Sequence, residues 1–403
     1  MIRHSLVTLG MMLLLFQGFA QSGTDSSAYK NRKLKFEEAN LVSSYYSQDG
    51  NNSAVTGGIG TEKLTDISNS FEVSFSKFDK KFRKHSFDLE VGVDHYTSAS
   101  SDMVDLKANS SASYSDNRIY PSLNYSVEND KKGIRLGGGA GFSTEYDYTS
   151  INFNGNASVK TKNRSGEFYI KLQAFLDQVR LVTPIELRPG YDPGNEDEDD
   201  HYGTSARTTF NASLSYSQIV NQRLQLMLLA DLVSQSGYLG LPFHRVYFTD
   251  NSLHQENLPS KRFKYPVGIR ANYFLGDRII LRAYYRYYAD DWGINGSTAS
   301  LEVPVKITPF ISVSPFYRFY HQNGAHYFAG YRQHGPEDTY FTSNYDLSTF
   351  QSNFFGAGLR LMPPAGVFGI KHVKMLELRY GHYNKNIGMQ SDIISLNLQF
   401  KKV

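Results

Sequence analysis

The stretch Ser391-Asp392-Ile393-Ile394-Ser395-Leu396-Asn397-Leu398-Gln399-Phe400 decides the fold. From Ile394 onward, apolar and polar residues alternate strictly. Because successive side chains of a strand point to opposite faces, one face of this segment is apolar and the other is polar. The apolar face carries Ile394, Leu396, Leu398 and Phe400, and the polar face carries Ser395, Asn397 and Gln399. About ten residues is also the length that a tilted strand needs to cross a bilayer.

Segments with the same alternation recur along nearly the whole chain, whereas helical periodicity is not sustained over any comparable length. The clearest segments cover residues 87–94, 210–217, 267–274, 281–288, 299–306 and 376–381. The polar stretches between strands differ in length. The short ones are Asp79–His85, Glu128–Gly133, Lys160–Gly166, Val220–Arg223, Gly276–Arg278 and Thr308–Pro309, and the long ones are Ser98–Asn117, Gln178–Ser205, Ser234–Lys264, Ala289–Ser297 and Tyr320–Phe350.

Short turns that alternate with long loops are typical of an up-and-down barrel, with the turns in the periplasm and the loops outside the cell. We therefore predict an all-β fold, a transmembrane up-and-down antiparallel β-barrel of about 16 strands, with about 14 or 18 as the alternatives, from about Lys35 to Phe400. The stretch Gly133–Lys160 is divided near Tyr148, because a single strand of that length would overshoot the membrane. Pro363-Pro364 is assigned to a periplasmic turn.

Residues 1–20 have the pattern of a cleaved secretory signal peptide. Arg3 and His4 form a polar n-region, an apolar h-region follows, and Gly18-Phe19-Ala20 places small residues at the cleavage positions. We expect a short polar segment over 21–34 and the barrel over 35–403. This organisation predicts export to the outer membrane of a Gram-negative bacterium. It also leaves no room for the plug domain of a TonB-dependent receptor.

Composition limits the class of protein. Tyr and Phe are abundant, with 29 and 27 copies, which suits the aromatic girdles of a membrane barrel. The net charge of +3 is too small to indicate a nucleic-acid partner. The chain has no cysteine, so it holds no disulfide, thiolate metal site or lipid-modified N-terminal cysteine. We expect no cofactor.

A set of charged residues is predicted to face the lumen, on the side of each strand opposite lipid. These residues are Arg270, Arg282, Arg286, Glu302, Arg318, Arg360, Glu377 and Arg379. In one interpretation they line a pore and set a field for anionic solutes. In the other, which the interleaved bulky tyrosines favour, they form a paired network that fills the lumen, because buried charges must be paired.

The segment Asp290-Asp291-Trp292-Gly293 follows a strand end and contains the only Trp of the chain. Asp290 and Asp291 are candidate ligands for a cation or solute at the mouth of the barrel. The alternative, which we favour, is a turn in which Trp292 is an interfacial aromatic anchor. Adjacent residues of a strand also point to opposite faces, so both carboxylates reach one site only if the backbone turns.

Two groups of potential metal ligands lie in the predicted long loops. The acidic run Glu196–His201 offers carboxylates for Ca²⁺ but lacks the EF-hand spacing, so we expect a solvated loop. The histidines of the long loops match no compact metal motif. They are His201, His244, His254, His321, His326 and His334. The run Gly137–Gly141 is followed by strand residues rather than by a helix, so close packing explains it better than a phosphate loop does.

Six stretches carry a resemblance to a known family: 93–102 (VDHYTSASSD), 281–294 (LRAYYRYYADDWGI), 307–310 (ITPF), 314–318 (SPFYR), 342–348 (TSNYDLS) and 378–383 (LRYGHY). They resemble an uncharacterised family of outer-membrane barrels, the domain-of-unknown-function family 3570. The resemblance spans nearly all of the mature chain and implies the barrel fold. It transfers no catalytic residues. It implies a periplasmic lipoprotein or redox partner only by association.

The leading functional hypothesis is a non-enzymatic barrel that carries a small solute or serves as a docking scaffold for periplasmic partners. The sequence contains neither G-x-S-x-G nor HExxH, although sites assembled across strands leave little local trace. The alternatives are an enzyme with its site at the loop mouth, and an adhesion or structural protein whose loops bind surface polysaccharide. Outer-membrane lipid, lipopolysaccharide and the barrel-assembly machinery are the expected partners.

Overall fold

The computed structural model describes residues 33–97, 115–187 and 203–402. The expected signal peptide and the acidic run Glu196–His201 lie outside these residues. The strands, numbered in chain order, are β1 Lys35–Asp49, β2 Leu64–Phe78, β3 Lys84–Thr97, β4 Ser115–Asn129, β5 Ile134–Thr144, β6 Tyr148–Lys160, β7 Gly166–Arg180, β8 Thr204–Ile219, β9 Leu224–Gly237, β10 Arg245–Tyr247, β11 Leu253–Gln255, β12 Lys261–Lys264, β13 Val267–Leu275, β14 Ile279–Ala289, β15 Asn295–Glu302, β16 Val305–Thr308, β17 Ile311–Gln322, β18 Phe350–Leu361, β19 Val373–Lys385 and β20 Met389–Lys401.

Eighteen of these segments form one antiparallel sheet that closes on itself. Strand β1 pairs with β2 on one side and with β20 on the other, which closes the barrel. Segments β12 and β13 both pair with β9, and they are one strand interrupted at Tyr265-Pro266. Segments β15 and β16 both pair with β17, and they are one strand interrupted at Val303-Pro304. The predicted count of 16 strands is therefore confirmed.

The outer face of the barrel is apolar and exposed, as a membrane-spanning surface requires. On β3, Leu89 and Val91 are 46% and 40% exposed, and their register partners on β4, Leu123 and Pro121, continue the same face. The belt continues around the barrel through Ile67, Phe142, Ile151, Phe153, Leu172, Leu176, Phe210, Leu228, Leu232, Val267, Ile269, Leu301, Phe355, Leu359, Leu378 and Ile394. In the part of the chain that the structure describes, no helix is long and apolar enough to cross a membrane.

The connections follow the predicted arrangement at one end and depart from it at the other. All of the predicted short turns lie at one end of the barrel, and the stretch Gly133–Lys160 divides as predicted, with β6 beginning at Tyr148. However, three connections at the long-loop end are also short, residues 145–147, 290–294 and 386–388. The prediction of a long loop over Ala289–Ser297 was therefore wrong, because β14 and β15 extend to Ala289 and Asn295. The small hairpin of β10 and β11 within the longest described loop was not expected from the sequence. Its residues alternate too briefly to form a visible pattern.

The glycine run 137–141 continues as strand β5, as predicted. A methyl group at Gly139 would meet the carbonyl of Leu123 and the side chain of Asn124, and one at Gly137 would meet Asn156. These contacts support the interpretation of close packing, because the glycines leave room for amide side chains on the neighbouring strands.

Candidate functional site: the charged lumen and its loop cap

Three loops meet over one end of the barrel, and we call them the loop cap: residues 50–63, 238–260 and 323–349. Loop 50–63 joins the first and second barrel strands, whereas loop 238–260 joins the ninth and tenth. In a closed barrel of 16 strands these loops begin half a turn apart. Their contact therefore shows that the cap crosses the mouth.

Arg245 makes that contact. Its guanidinium donates to the carbonyl of Val55 at 2.8 Å, and it binds the carboxylate of Glu186 at 2.8 and 3.2 Å. Arg245 is 3% exposed. A buried guanidinium is stable only when it is paired and hydrogen-bonded, so these contacts fix the crossing of the mouth.

The cap has its own apolar core. Val246, Phe248 and Phe341 are buried together, and the rings of His254 and His334 pack on Phe248 with centroids 4.2 and 5.8 Å away. Phe248 comes from loop 238–260 and Phe341 from loop 323–349, and their rings meet edge to face at 4.8 Å. Such buried aromatic contacts make the cap a packed structure.

Glu256 is a buried carboxylate within the cap and accepts three hydrogen bonds. The donors are the amide of Leu241 at 2.7 Å, the hydroxyl of Thr342 at 2.5 Å and His244 Nδ1 at 3.5 Å. Burial acts to raise the pKa of Glu256, but the charge of His244 and the hydrogen bonds outweigh it and hold that pKa below its ordinary value. Glu256 therefore binds two loops together as a carboxylate.

The predicted loop-mouth residues divide between two roles. Asp290 is buried, and it accepts the amides of Trp292 and Ile294 at 3.0 Å, the Tyr288 hydroxyl at 2.7 Å and the Arg262 guanidinium at 2.5 Å. These donors occupy both of its oxygens, so the carboxylate is engaged in holding the turn. Trp292 packs inside the protein rather than at the membrane interface.

Contacts of Trp292 and Asp291 also stabilise this turn. Trp292 is 2% exposed, its Nε1 donates to the carbonyl of Lys261 at 2.9 Å, and the Arg262 guanidinium lies 4.2 Å from its ring. Asp291 is exposed and accepts the amide of Phe263 at 3.0 Å. Asp290 is therefore buried within the turn while Asp291 is exposed, so the two carboxylates do not serve one site.

The described loop histidines do not meet as a metal-binding group. His244 pairs with Glu256, and His334 contacts Asp338 at 3.0 Å and the Thr342 carbonyl at 3.0 Å. Hydrogen bonding to His334 lowers the pKa of Asp338. Among the described residues, one group of three potential metal ligands comes together, and we call it the carboxylate cluster: Asp116, Glu145 and Asp147. One oxygen atom of each lies within 4.8 Å of the others.

Hydrogen bonds from neighbouring residues already occupy part of this carboxylate cluster. Asp116 accepts the amides of Asn117 at 2.7 Å and Tyr146 at 3.1 Å, and Glu145 accepts the hydroxyl of Tyr96. Burial raises the pKa of Glu145, and the nearby Asp147 adds to that rise. Glu145 therefore retains its proton to higher pH than an ordinary glutamate.

The predicted lumen residues alternate with outward apolar residues. Arg270 follows the exposed Ile269, and Arg286 lies between the exposed Tyr285 and Tyr287. Register pairing extends the same inner face to Arg318 through Tyr284 and Ser300. The alternation supports a lumen-facing position for these arginines.

Five of the predicted residues form a connected ion-pair network. Glu302 contacts Arg282 at 3.2 Å and Arg379 at 3.4 Å, while Glu377 contacts Arg379 at 3.1 Å and Arg360 at 2.6 Å. The paired network considered from the sequence is present on this part of the wall. The Arg282 side chain is nevertheless 42% exposed, so the network does not fill the space around it.

The other three predicted arginines form what we call the arginine patch: Arg270, Arg286 and Arg318. Within the described chain, no carboxylate lies within 4.0 Å of their guanidinium nitrogens. Arg270 and Arg318 are exposed and lie over the rings of Tyr284 at 5.6 Å and Phe354 at 4.9 Å. Aromatic faces support these cations without neutralising them, so the patch keeps its charge.

A second charged group, which the sequence reasoning missed, lies on β2 and β3. We call it the acidic wall: Glu72, Asp88 and Glu90. Its hydrogen-bond donors are neutral, with Ser74 bound to Asp88 at 2.6 Å and Ser70 bound to Glu90 at 2.9 Å. Alternation on β3 was the available signal, because Asp88 and Glu90 lie between Phe87, Leu89 and Val91. The cap residues Arg245 and Glu256 gave no comparable signal, since loop packing joins distant parts of the chain.

The fold and the inner surface define a transmembrane β-barrel with a charged lumen and a loop cap. A family model described as protein of unknown function (DUF3570) matches residues 85–386. The chain therefore belongs to this family, and the resemblance found in the sequence is confirmed. None of the curated proteins matches the chain.

Solved structures similar to this chain are outer-membrane proteins. Acinetobacter baumannii OccAB3 is 8% identical with a TM-score of 0.41, over 91% of this chain and 99% of that protein. A BenF-like porin from Pseudomonas fluorescens Pf-5 is 8% identical with a TM-score of 0.42, over 91% and 98%. The siderophore receptor PirA from Acinetobacter baumannii is 11% identical with a TM-score of 0.46, over 86% and 53%. At these values the similarities assign no function to this chain.

Proposed function

We propose that the chain is an outer-membrane channel that carries small hydrophilic solutes through a charged lumen beneath a loop cap. The arginine patch, in which Arg270 and Arg318 are exposed and Arg286 is half-buried, is the observation that carries this proposal. A barrel that served only as a scaffold would gain stability by pairing or removing such charges, since unpaired charge inside a protein is costly. Water-accessible cations on an inner wall instead suit the passage of solutes.

The membrane assignment supports the same proposal. The closed sheet pairs the backbone groups of its strands, and the apolar belt presents hydrocarbon side chains to lipid. In the outer membrane the short turns would face the periplasm, and the loop cap would face outward in contact with lipopolysaccharide. Insertion would then require the barrel-assembly machinery.

The loop cap sets how large the passage is. Because the cap crosses the mouth, we expect a narrow channel with a small unitary conductance. Opening the cap should enlarge the entrance without changing the barrel wall. Arg245→Ala removes the side chain that joins the loops from opposite sides, and it leaves Val55 and Glu186 without that partner.

Planar-bilayer recording of the purified protein tests this function. The proposal predicts discrete current steps for the native chain and larger steps for Arg245→Ala. Arg164→Ala is the matched control, because Arg164 binds Asp130 at the short-turn end, far along the strands from the cap, and it should leave the step size unchanged. Correctly folded protein without current in both the native and Arg245→Ala forms would contradict the channel and favour a docking scaffold.

A further inference from the structure

Two charged groups of the lumen that form no ion pair among the described residues, the acidic wall and the arginine patch, lie on opposite sides of the barrel. The acidic wall lies on the second and third barrel strands, and the arginine patch lies on the tenth, eleventh and thirteenth. The third and eleventh strands are half a turn apart in a closed ring of 16. Opposite charges therefore face each other across the lumen.

The acidic wall and the arginine patch lie at a similar height along the strands, measured from the short-turn end. Glu72 is six residues from the end of β2, and Glu90 is six residues from the start of β3. Arg286 and Arg318 are each seven residues from the starts of β14 and β17, and Arg270 is five from the end of β13. All of these ends belong to the short-turn side. At about 3.3 Å per residue, the charges occupy the same middle zone of the wall.

The acidic wall carries an internal repulsion. Glu72 and Glu90 are direct register partners, and like charges in that position destabilise a sheet. Among the described residues, no Lys, Arg or His lies within 4.0 Å of the three carboxylates of this wall to relieve the repulsion. A cationic group in the lumen would relieve it.

The arginine patch offers the complementary surface. Arg270, Tyr284, Ser300 and Arg318 form one cross-strand row, and Arg286 lies two residues above Tyr284. The nearest inward acid on the adjoining strand β9 is Asp231, and it forms no ion pair with the patch. Guanidinium groups with free donors bind carboxylates in a fixed geometry.

We propose that this lumen takes small amphoteric solutes, such as amino acids and short peptides, with the carboxylate toward the arginine patch and the ammonium toward the acidic wall. This inference rests on the proposed channel function and names its solute class. A simple anion is attracted by one wall and repelled by the other, and the same holds for a simple cation. A solute that carries both charges gains from both walls, and the field across the lumen orients it.

Reversal potentials in a KCl gradient test the two walls separately. We expect the triple variant Arg270→Gln, Arg286→Gln, Arg318→Gln to raise the K⁺ over Cl⁻ permeability ratio by about twofold or more, and the triple variant Glu72→Gln, Asp88→Asn, Glu90→Gln to lower it by a similar factor. Arg164→Gln is the control at an exposed turn. Heat-modifiable migration on a denaturing gel identifies variants that fail to fold, and for those the single substitutions replace the triple ones.

Liposome permeation then tests the solute class. The probes are glycylglycine as the zwitterion, succinate as the anion and 1,4-diaminobutane as the cation. We expect glycylglycine to enter fastest through the native protein, and its advantage to fall by about threefold or more when either wall is neutralised. A conducting channel in which neither wall alters ion selectivity, or in which succinate enters fastest, overturns this inference alone. Absence of current in the native protein overturns the channel function and the inference together.

Discussion

At the scale of single residues, the structure separates side chains that hold the loops from side chains that face solute. Asp290 shows the difference clearly, because four donors surround a carboxylate that the sequence offered as a candidate ligand. Arg286 and Arg318 show the opposite case, because within the described chain they have no carboxylate partner. The hydrogen-bond count, rather than the residue type, distinguishes structural charges from available ones.

Glu256 gives a prediction at this scale. Glu256→Gln removes the negative charge that accepts hydrogen bonds from Leu241 and Thr342, and a lost bond to a buried charged group costs about 1–3 kcal/mol. We expect proteolysis of the cap to accelerate by about tenfold at neutral pH, while the barrel stays intact. The control Glu337→Gln, at an exposed residue of cap loop 323–349, should cleave at the native rate.

The pH dependence of the native cap follows from the same residue. Its pKa is lower in the folded state than in an unfolded loop, so the stabilisation is complete above the ordinary glutamate pKa and is lost as pH falls through the lowered value. Acidification should therefore open the native cap, and Glu256→Gln should lack that part of the response. Equal acid sensitivity of both proteins in the proteolysis assay would contradict this role for Glu256.

At the scale of the strand, alternation determines which face meets lipid. Strand β7 offers a matched test, because Leu172 is 55% exposed on the outer face and Gln173 follows it on the inner face. Leu172→Arg places a charge in hydrocarbon at a cost of about 2–4 kcal/mol, whereas Gln173→Arg places it in the lumen. We expect the first to unfold at lower urea concentration in vesicles and the second to unfold like the native protein. Equal destabilisation would count against the assigned faces.

Strands were predictable because their pattern is local. The alternation from Ile394 to Phe400 and the split at Tyr148 each needed only neighbouring residues, and both agree with the structure. The loop cap was not predictable for the opposite reason. Arg245 contacts Val55 across 190 residues of chain, and Glu256 contacts Thr342 across 86. No local periodicity in the sequence indicates contacts over such separations.

The opposition of the acidic wall and the arginine patch was predictable only in part. Each charged residue of the acidic wall had the alternation of an inward position, but opposition between β3 and β14 depends on the strand count and on closure. Pro304 and Pro266 interrupt two strands without changing the count, because both halves of each strand keep the same neighbour. A shift of two strands would have rotated one wall away from the other.

At the scale of the whole molecule, three layers follow one another from outside to inside: an apolar belt, a closed sheet and a charged interior. The belt places the barrel in a membrane, the closed sheet satisfies the backbone, and the interior provides the surface that solutes meet. The loop cap then limits entry at one end. The proposed function depends on this order, because the same charges on the outer face would prevent insertion.

The most direct test of this account is cysteine labelling at adjacent positions in vesicles, since the native chain has no cysteine. Single variants Leu89→Cys and Glu90→Cys on one side, and Ile269→Cys and Arg270→Cys on the other, are exposed to a small membrane-impermeant maleimide. The account predicts that Glu90→Cys and Arg270→Cys react while Leu89→Cys and Ile269→Cys stay unlabelled until detergent is added. Labelling of the apolar positions in intact vesicles, or protection of the charged ones, would contradict it.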